Sequence, residues 1–512
     1  MITKAYSATL YGVDAKLIAI ELSIISGTKL VIVGLPDNSV KESQHRIESV
    51  LKHHAKYLPR QRVIVNLAPA SIKKEGAAYD LPIALAILHA SQQEKLTHLS
   101  EYLIAGELSL DGELRPIRGA LPMTIMAKKK GFKGCLLPKS NSQEAAVFDD
   151  LPIIPITHIQ EAIDFLSGTH TIAPIVTNIQ AIFAENQKVD PTLDLVDIKG
   201  QSNAKYALKV AAAGGHNLIM IGPPGVGKSM LAKRLPSILP PLTLREALET
   251  TKIYSVAGKM GDQKLITKRP FRSPHHTISE VALVGGGSIP KPGEISLAHH
   301  GVLALEELTE FKRSVLEVLR QPLEDKTIDI TRTKMSVKFP ASFMIVASMN
   351  PCPCGYYTHP QKQCMCNPTL RKRYLSKISG PLLDRIDIHL HIDPPPSKPT
   401  PSSTPLLTSA TVRAEVLAAR MRQTARFKDF PHIHCNAMMP PYLIRKCCTI
   451  TTESQHLLNQ AMEKLNLSRR AYDYILKLAR TMADLDEQVD IQPEQIAEAI
   501  SFRSLDKESW GN

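Results

Sequence analysis

The sequence predicts an α/β multidomain chain organised around a phosphate-binding loop, and three stretches carry that expectation. Leu218–Ser229 reads LIMIGPPGVGKS, an apolar run meeting Gly222, four spacers and then Gly227-Lys228-Ser229. Residues 1–168 alternate apolar and polar in the manner of strands, with helix-like pieces between them, as a separate α/β domain would. Beyond the proline-rich run PPPSKPTPSSTP at 394–405 the periodicity is helical. Boundaries are therefore expected at 1–168, a linker at 169–190, a nucleotide domain at 191–393, a proline-rich connector at 394–408 and a helical domain at 409–512.

Bulk properties narrow the function classes. A chain of 512 residues at ordinary apolar content has room for several cores. The N-terminus alternates like a strand and lacks a basic start with an apolar run, and no stretch is long enough to span a bilayer, so a cytoplasmic protein with no membrane partner is expected. Sixty-two Lys and Arg against forty-nine Asp and Glu leave +13, a balance that favours a polyanionic partner. The eight cysteines read as reduced thiols.

In the first domain, strands are expected at Leu30–Val33 and Arg62–Asn66 and a helix at Asp80–Ala90. The pieces KKEGAAYDLPIALAIL (Lys73–Leu88) and GELSLDGELRPIRGAL (Gly106–Leu121) resemble the proteolytic domain of Lon-type proteases, a ribosomal S5 domain 2-like fold. The resemblance implies a Ser–Lys pair where this chain has Ala78 and Leu121. Nucleophilic catalysis needs a hydroxyl or thiol beside a base, so an inactive Lon protease-like domain with no protease activity is expected. Asp37, Lys41, Glu42 and Lys74 are left as a docking surface or a solvated face.

In the nucleotide domain a helix at Ser202–Ala213 precedes the strand Leu218–Ile221. The loop Gly222, Pro223, Pro224, Gly225, Val226, Gly227, Lys228 and Ser229 should wrap ATP phosphates with backbone N–H groups, at the N-terminus of the helix that follows. Lys228 is then assigned to the β- and γ-phosphates and Ser229 to Mg²⁺. A strand Gly301–Leu305 ends in Glu306-Glu307, where one carboxylate should face the Mg²⁺ shell (Glu306) and the other should orient the attacking water (Glu307). A further strand, Phe343–Ser348, ends near Asn350, an amide suited to the γ-phosphate or the water.

Together with ISGPLLDRIDIHL (Ile378–Leu390), these parts resemble an AAA+ ATPase core. FRSPHH (Phe271–His276), VGGGSIPKPGEISLAHHGVL (Val284–Leu303) and NPCPCGYY (Asn350–Tyr357) narrow the resemblance to magnesium-chelatase-like proteins of the YifB/ComM family, over almost the whole chain. The resemblance implies that Asn350 is sensor 1, that Arg385 is the finger reaching a neighbouring subunit's nucleotide, and that Arg470, in SRRAY, is the sensor 2 arginine of a C-terminal helical lid. The acidic pair of P-loop ATPases is Asp-Glu, so Glu306 departs from it by one methylene. The resemblance also implies a homo-oligomeric, hexameric helicase driving branch migration of DNA during natural transformation. Two alternatives stand beside this: a metal-chelatase-type motor acting on a protein partner, and a nucleotide-gated scaffold with weak turnover.

Two insertions are expected. Thr251–Gly293 carries seven Lys and Arg against Asp262 and Glu280, and Thr327–Pro340 alternates as a basic hairpin. By the resemblance such elements line a ring's pore, and Lys268, Arg269, Arg272, Lys291, Arg332 and Lys334 are the candidate DNA contacts, tracking phosphates rather than bases. Cys352, Cys354, Cys364 and Cys366 form a C-x-C-x₉-C-x-C set that either closes a structural Zn²⁺ site or orders its loop as unligated thiols. In the tail, helices are expected over Val412–Phe427, Thr451–Leu465 and Leu467–Leu485, the last with Ala471, Ile475, Leu478, Ala479 and Met482 on one face.

Overall fold

A computed structural model describes residues 2–148, 150–186, 191–287, 290–332, 335–357, 359–394, 407–430, 432–465 and 467–503. Lys334, residues 187–190 of the expected linker and 395–406 of the proline-rich connector lie outside them. Two compact units divide the chain: Met1–Asn186 with Leu244–Thr267, and Gln187–Thr243 with Lys268–Asn512.

The first unit is built on a seven-stranded sheet in the order Leu30–Val33, Arg62–Ala68, Asp14–Ile25, Ile2–Tyr11, Tyr102–Ile104, Gly134–Pro138 and Ile153–Ile156. Its first two strands pair antiparallel from Ile2↔Ser23 to Tyr11↔Asp14, and the strict alternation drives Ile18, Ile20 and Leu22 to one fully buried face. The helix Asp80–Ala90 covers that face. Its sequence DLPIALAIL offers no polar stripe, and every residue from Asp80 to Leu88 is buried. Asp80, in the first turn, is held by Ser43 and by Arg46 Nε at 2.6 Å, so the buried carboxylate faces a cation and the positive end of its helix.

Two surface expectations for this unit are corrected. Lys74 is buried, its ammonium donating to the Pro69 carbonyl. Asp37 caps the helix Asn38–His53, accepting from Val40 N at 2.8 Å and also from Gly76 N at 3.2 Å. Both side chains are spent on structure. The helix Leu244–Ala257, expected within the nucleotide domain, also belongs here and packs on the helix Ala120–Lys129, with Gly119 N donating to Ser255 O at 3.2 Å.

The second unit has a five-stranded parallel sheet ordered Phe271–Arg272, Val302–Leu305, Met344–Met349, Leu218–Ile221 and Ile388–His391. Leu218–Ile221 is buried along its whole length, as a parallel strand covered on both faces must be. Its carboxyl end delivers the glycine loop beside the ends of Val302–Leu305 and Met344–Met349, where open α/β sheets place their ligands.

Helical packing completes this unit. Leu218 and Met220 share one core with Ala207 and Leu208 of the helix Ser202–Gly214, with Val412 and Val416 of Ser409–Arg426, and with Ile475 and Met482 of Arg469–Leu485. The Arg469–Leu485 helix starts at Ser468, whose hydroxyl accepts from Ala471 N, and buries Ala471, Ile475, Leu478, Ala479 and Met482 together. Thr327–Arg332 and Met335–Pro340 form the expected hairpin, with Ile328, Ile330, Val337 and Phe339 inward and Asp329, Arg332 and Lys338 exposed.

Candidate nucleotide site

The loop after Leu218–Ile221 needs its glycines for two different reasons. A Cβ on Gly222 would lie 2.3 Å from the Ile392 carbonyl oxygen, so only hydrogen fits. Gly225 and Gly227 take φ of +82° and +92°, in the left-handed region, and a Cβ on either would project into open space. That open space lies over the first turn of the helix Lys228–Ile238, a cradle suited to anionic oxygens. Gln201 supports the turn from behind by donating to Val226 O at 2.7 Å.

Two side chains, Asn350 and Glu306, reach this loop's own Lys228 and Ser229 from the ends of separate strands. Lys228 Nζ donates to Gly222 O at 2.6 Å, Pro223 O at 2.8 Å and Asn350 Oδ1 at 3.1 Å. The Asn350 amide, one residue past the strand Met344–Met349, thus meets the P-loop lysine as the strand order requires. Burial lowers the Lys228 pKa to about 8, and the Glu307 charge pulls it the other way. Ser229 Oγ donates to Glu306 Oε2 at 2.6 Å. The extra methylene of Glu306 therefore does not prevent its carboxylate from reaching the serine expected in a Mg²⁺ shell. With a backbone cradle, an ammonium, a hydroxyl and a carboxylate in place, the residues fit Mg²⁺-ATP chemistry.

Glu307 sits exposed at the strand tip with φ of +54°, a conformation that turns the acid away from its own strand. His276 Nδ1 lies 3.6 Å from Glu307 Oε2. The histidine was visible in FRSPHH as a family marker, but nothing in the spacing pointed to this carboxylate.

The two candidate arginines meet each other's partner rather than the loop. Arg385, the finger that the resemblance implies, is 7% exposed, and its guanidinium donates to Pro381 O and Glu324. Arg470 reaches the same Glu324 carboxylate at 3.4 Å. Nothing in the sequence points to Glu324, because the adjacent acids Glu324 and Asp325 of RQPLEDK carry no periodic or motif signal.

The candidate DNA residues divide by what already holds them. Arg269 donates to Pro240 O at 2.6 Å and His300 O at 2.7 Å, and Arg272 makes a two-pronged pair with Glu294 at 2.6 and 2.8 Å. These two guanidinium groups brace the second unit's own backbone and acid. Lys268, Lys291 and Arg332 are exposed. The Cys352, Cys354, Cys364 and Cys366 sulfurs all lie within 4.8 Å of one another. Among the described residues no helix is long and apolar enough to cross a membrane.

Comparison with known proteins extends this geometry. Residues 194–399 match the family described as magnesium chelatase, subunit ChlI, residues 20–141 match subunit ChlI of Mg-chelatase, and residues 407–503 match the ChlI C-terminal family. The chain is 42% identical over 499 residues to YifB of Escherichia coli (strain K12), covering 97% of this chain and 96% of that protein. It is 42% identical over 502 residues to the competence protein ComM of Haemophilus influenzae, covering 98% and 97%. A shorter stretch of 121 residues, 23% of this chain and 26% of the relative, is 38% identical to the DNA repair protein RadA of Aquifex aeolicus. Likeness over nearly full length, around a P-loop in a five-stranded parallel sheet, shows that the chain belongs to the YifB/ComM family of magnesium-chelatase-like AAA+ ATPases.

Proposed function

We propose that this protein is a cytoplasmic ATP-hydrolysing motor that assembles as a homo-oligomeric, hexameric ring, translocates on DNA and promotes branch migration in natural transformation. The observation that carries the reading is the meeting of Lys228, Asn350, Ser229 and Glu306 at one loop. In the proposed roles Lys228 and the loop hold the phosphates, Ser229 and Glu306 hold Mg²⁺, Asn350 senses the γ-phosphate and Glu307 orients the water. Arg385 acts on a neighbouring subunit's nucleotide and Arg470 closes the helical part over its own. DNA as the polyanion is supported by the +13 charge, by exposed Lys268, Lys291 and Arg332, and by the names of the ComM and RadA relatives.

The first unit is proposed as a Lon-like fold without peptidase chemistry. Position 78 offers a methyl group, and Leu121 is fully buried where an amine would be required. A second reading, a motor acting on a protein partner as in metal chelation, is favoured by the matched family descriptions. One ATPase assay separates the two, comparing no DNA, single strands and a four-way junction. Stimulation by the junction supports the DNA motor; identical rates in all three would remove it and leave the protein-partner reading.

A further inference from the structure

The loop after Asn350 carries a cluster that the nucleotide chemistry does not use. Cys352 Sγ lies 3.3 Å from Cys354 Sγ and 3.7 Å from Cys364 Sγ, and Cys354 and Cys364 are 3.6 Å apart. Cys366 completes the set, with all four sulfurs inside 4.8 Å of one another. A disulfide would bring two of them to about 2.05 Å, far closer than any pair here. A tetrahedral ion with Zn–S bonds of about 2.3 Å instead sets sulfurs about 3.8 Å apart along each edge, and the three separations of 3.3, 3.6 and 3.7 Å lie within about 0.5 Å of that edge. Iron–sulfur clusters bind their cysteines through different iron atoms and need wider spacing, so a single ion fits best. The loop also supplies an outer partner, since Cys366 N donates to Cys364 Sγ at 3.4 Å, a contact that favours thiolate over thiol.

The same loop touches the nucleotide site at two points. Asn350, two residues before Cys352, accepts from Lys228. Gly355, one residue after Cys354, takes φ of +82°, and a Cβ there would stand 2.7 Å from Pro224 Cδ in the P-loop. We propose that Cys352, Cys354, Cys364 and Cys366 bind one Zn²⁺ as a tetrathiolate, and that this ion clamps the loop after Asn350 against Pro224, so that metal occupancy sets how tightly the P-loop holds nucleotide. Binding releases one proton from each thiol, Zn²⁺ plus four R–SH giving Zn(SR)₄²⁻ plus four protons. The metal assignment stands on the sulfur geometry alone; the clamp rests on the proposed ATP site.

The test uses the full chain. Purified protein should contain one zinc per chain by elemental analysis, and replacement by Co²⁺ should give the intense visible bands and sulfur-to-cobalt charge transfer of a tetrahedral thiolate site. Cys366→Ser should lose the metal and weaken binding of a fluorescent ATP analogue by about tenfold or more. Cys447→Ser, outside the cluster, should keep both properties, which separates ligand loss from a general effect of removing a thiol. Gly355→Ala keeps all four ligands and should retain zinc while losing nucleotide affinity, so the clamp is tested even where Cys366→Ser folds poorly. Lys228→Ala should lose nucleotide and keep zinc. Metal-free protein with four freely titrating thiols, or cobalt bands of octahedral character, would overturn the site. Zinc retained together with unchanged nucleotide affinity in Gly355→Ala would overturn the clamp, whereas zinc with no nucleotide binding in the unmodified chain would sink the ATP reading and leave the metal site standing.

Discussion

Lys228 illustrates how one residue's surroundings set its chemistry. Its ammonium is half-buried among carbonyls, and lost hydration lowers the pKa to about 8. Phosphate oxygens favour the charged form, so nucleotide binding selects protonated lysine. The direction follows: above pH 8 the neutral amine dominates in the free protein, binding must take up a proton, and affinity should fall as pH rises, by up to about tenfold per unit. Measuring affinity and proton uptake between pH 7 and 9.5 checks this, and a flat profile would contradict it. Beside it, Glu306 already reaches Ser229, so Glu306→Asp should alter turnover by less than about tenfold, or ~1.4 kcal/mol of barrier. Glu307→Gln should bind ATP and stall. If Glu307→Gln instead fails to bind nucleotide in an equilibrium assay, the water-orienting role lies elsewhere.

Among the elements, the helix Leu244–Ala257 owes its attachment to polar detail as well as apolar packing. The buried Thr251 hydroxyl donates to Ala247 O at 2.7 Å and accepts from Ile266 N at 3.0 Å, tying the returning chain to the helix. Thr251→Val keeps the shape and leaves the Ile266 N–H unpaired, a cost of about 1–3 kcal/mol. Hydrogen exchange of 244–267 should accelerate in that variant while exchange of Lys228–Ile238 stays unchanged. Equal acceleration in both helices would mean that the segment is not a local unit of the first compact body.

For the whole molecule, the proposed ring and the proposed trans-acting arginine are tested together at Arg385. Its guanidinium is held by Glu324, which Arg470 also contacts, so the proposed action on a neighbour's nucleotide would require exchanging one anion for another. An arginine supplied in trans accelerates phosphoryl transfer by about 10³ to 10⁵. Arg385→Ala and Lys228→Ala should each be nearly inactive yet assemble. Mixed equally and allowed to exchange subunits, they should rebuild intact sites at about a quarter of interfaces by random placement. ATPase activity rising toward that fraction supports independent sites, and a smaller rise indicates firing that must pass around the ring. Normal hydrolysis by Arg385→Ala alone, with no gain on mixing, would remove the trans role.

What the sequence by itself determined is local. The strand, glycine turn and helix of Leu218–Ile238 are written in consecutive residues, because phosphate-loop backbone geometry is set by glycine spacing and a buried strand by its apolar run. The buried face of Arg469–Leu485 and the hairpin Thr327–Pro340 were legible for the same reason, as periods of 3.6 and 2 expressed within one element. Only the tertiary structure decided which charges meet. Glu324 lies 61 residues from Arg385 and 146 from Arg470, and no sequence period links them. Arg269, Arg272 and Lys74 read as surface cations until the fold supplied carbonyls and Glu294 as partners. The assignment of Leu244–Thr267 to the first unit likewise depended on packing across distant segments. Periodicity reports which side of an element is buried; the identity of the neighbour there is decided by chain crossings, where desolvation and charge pairing between distant residues are settled together.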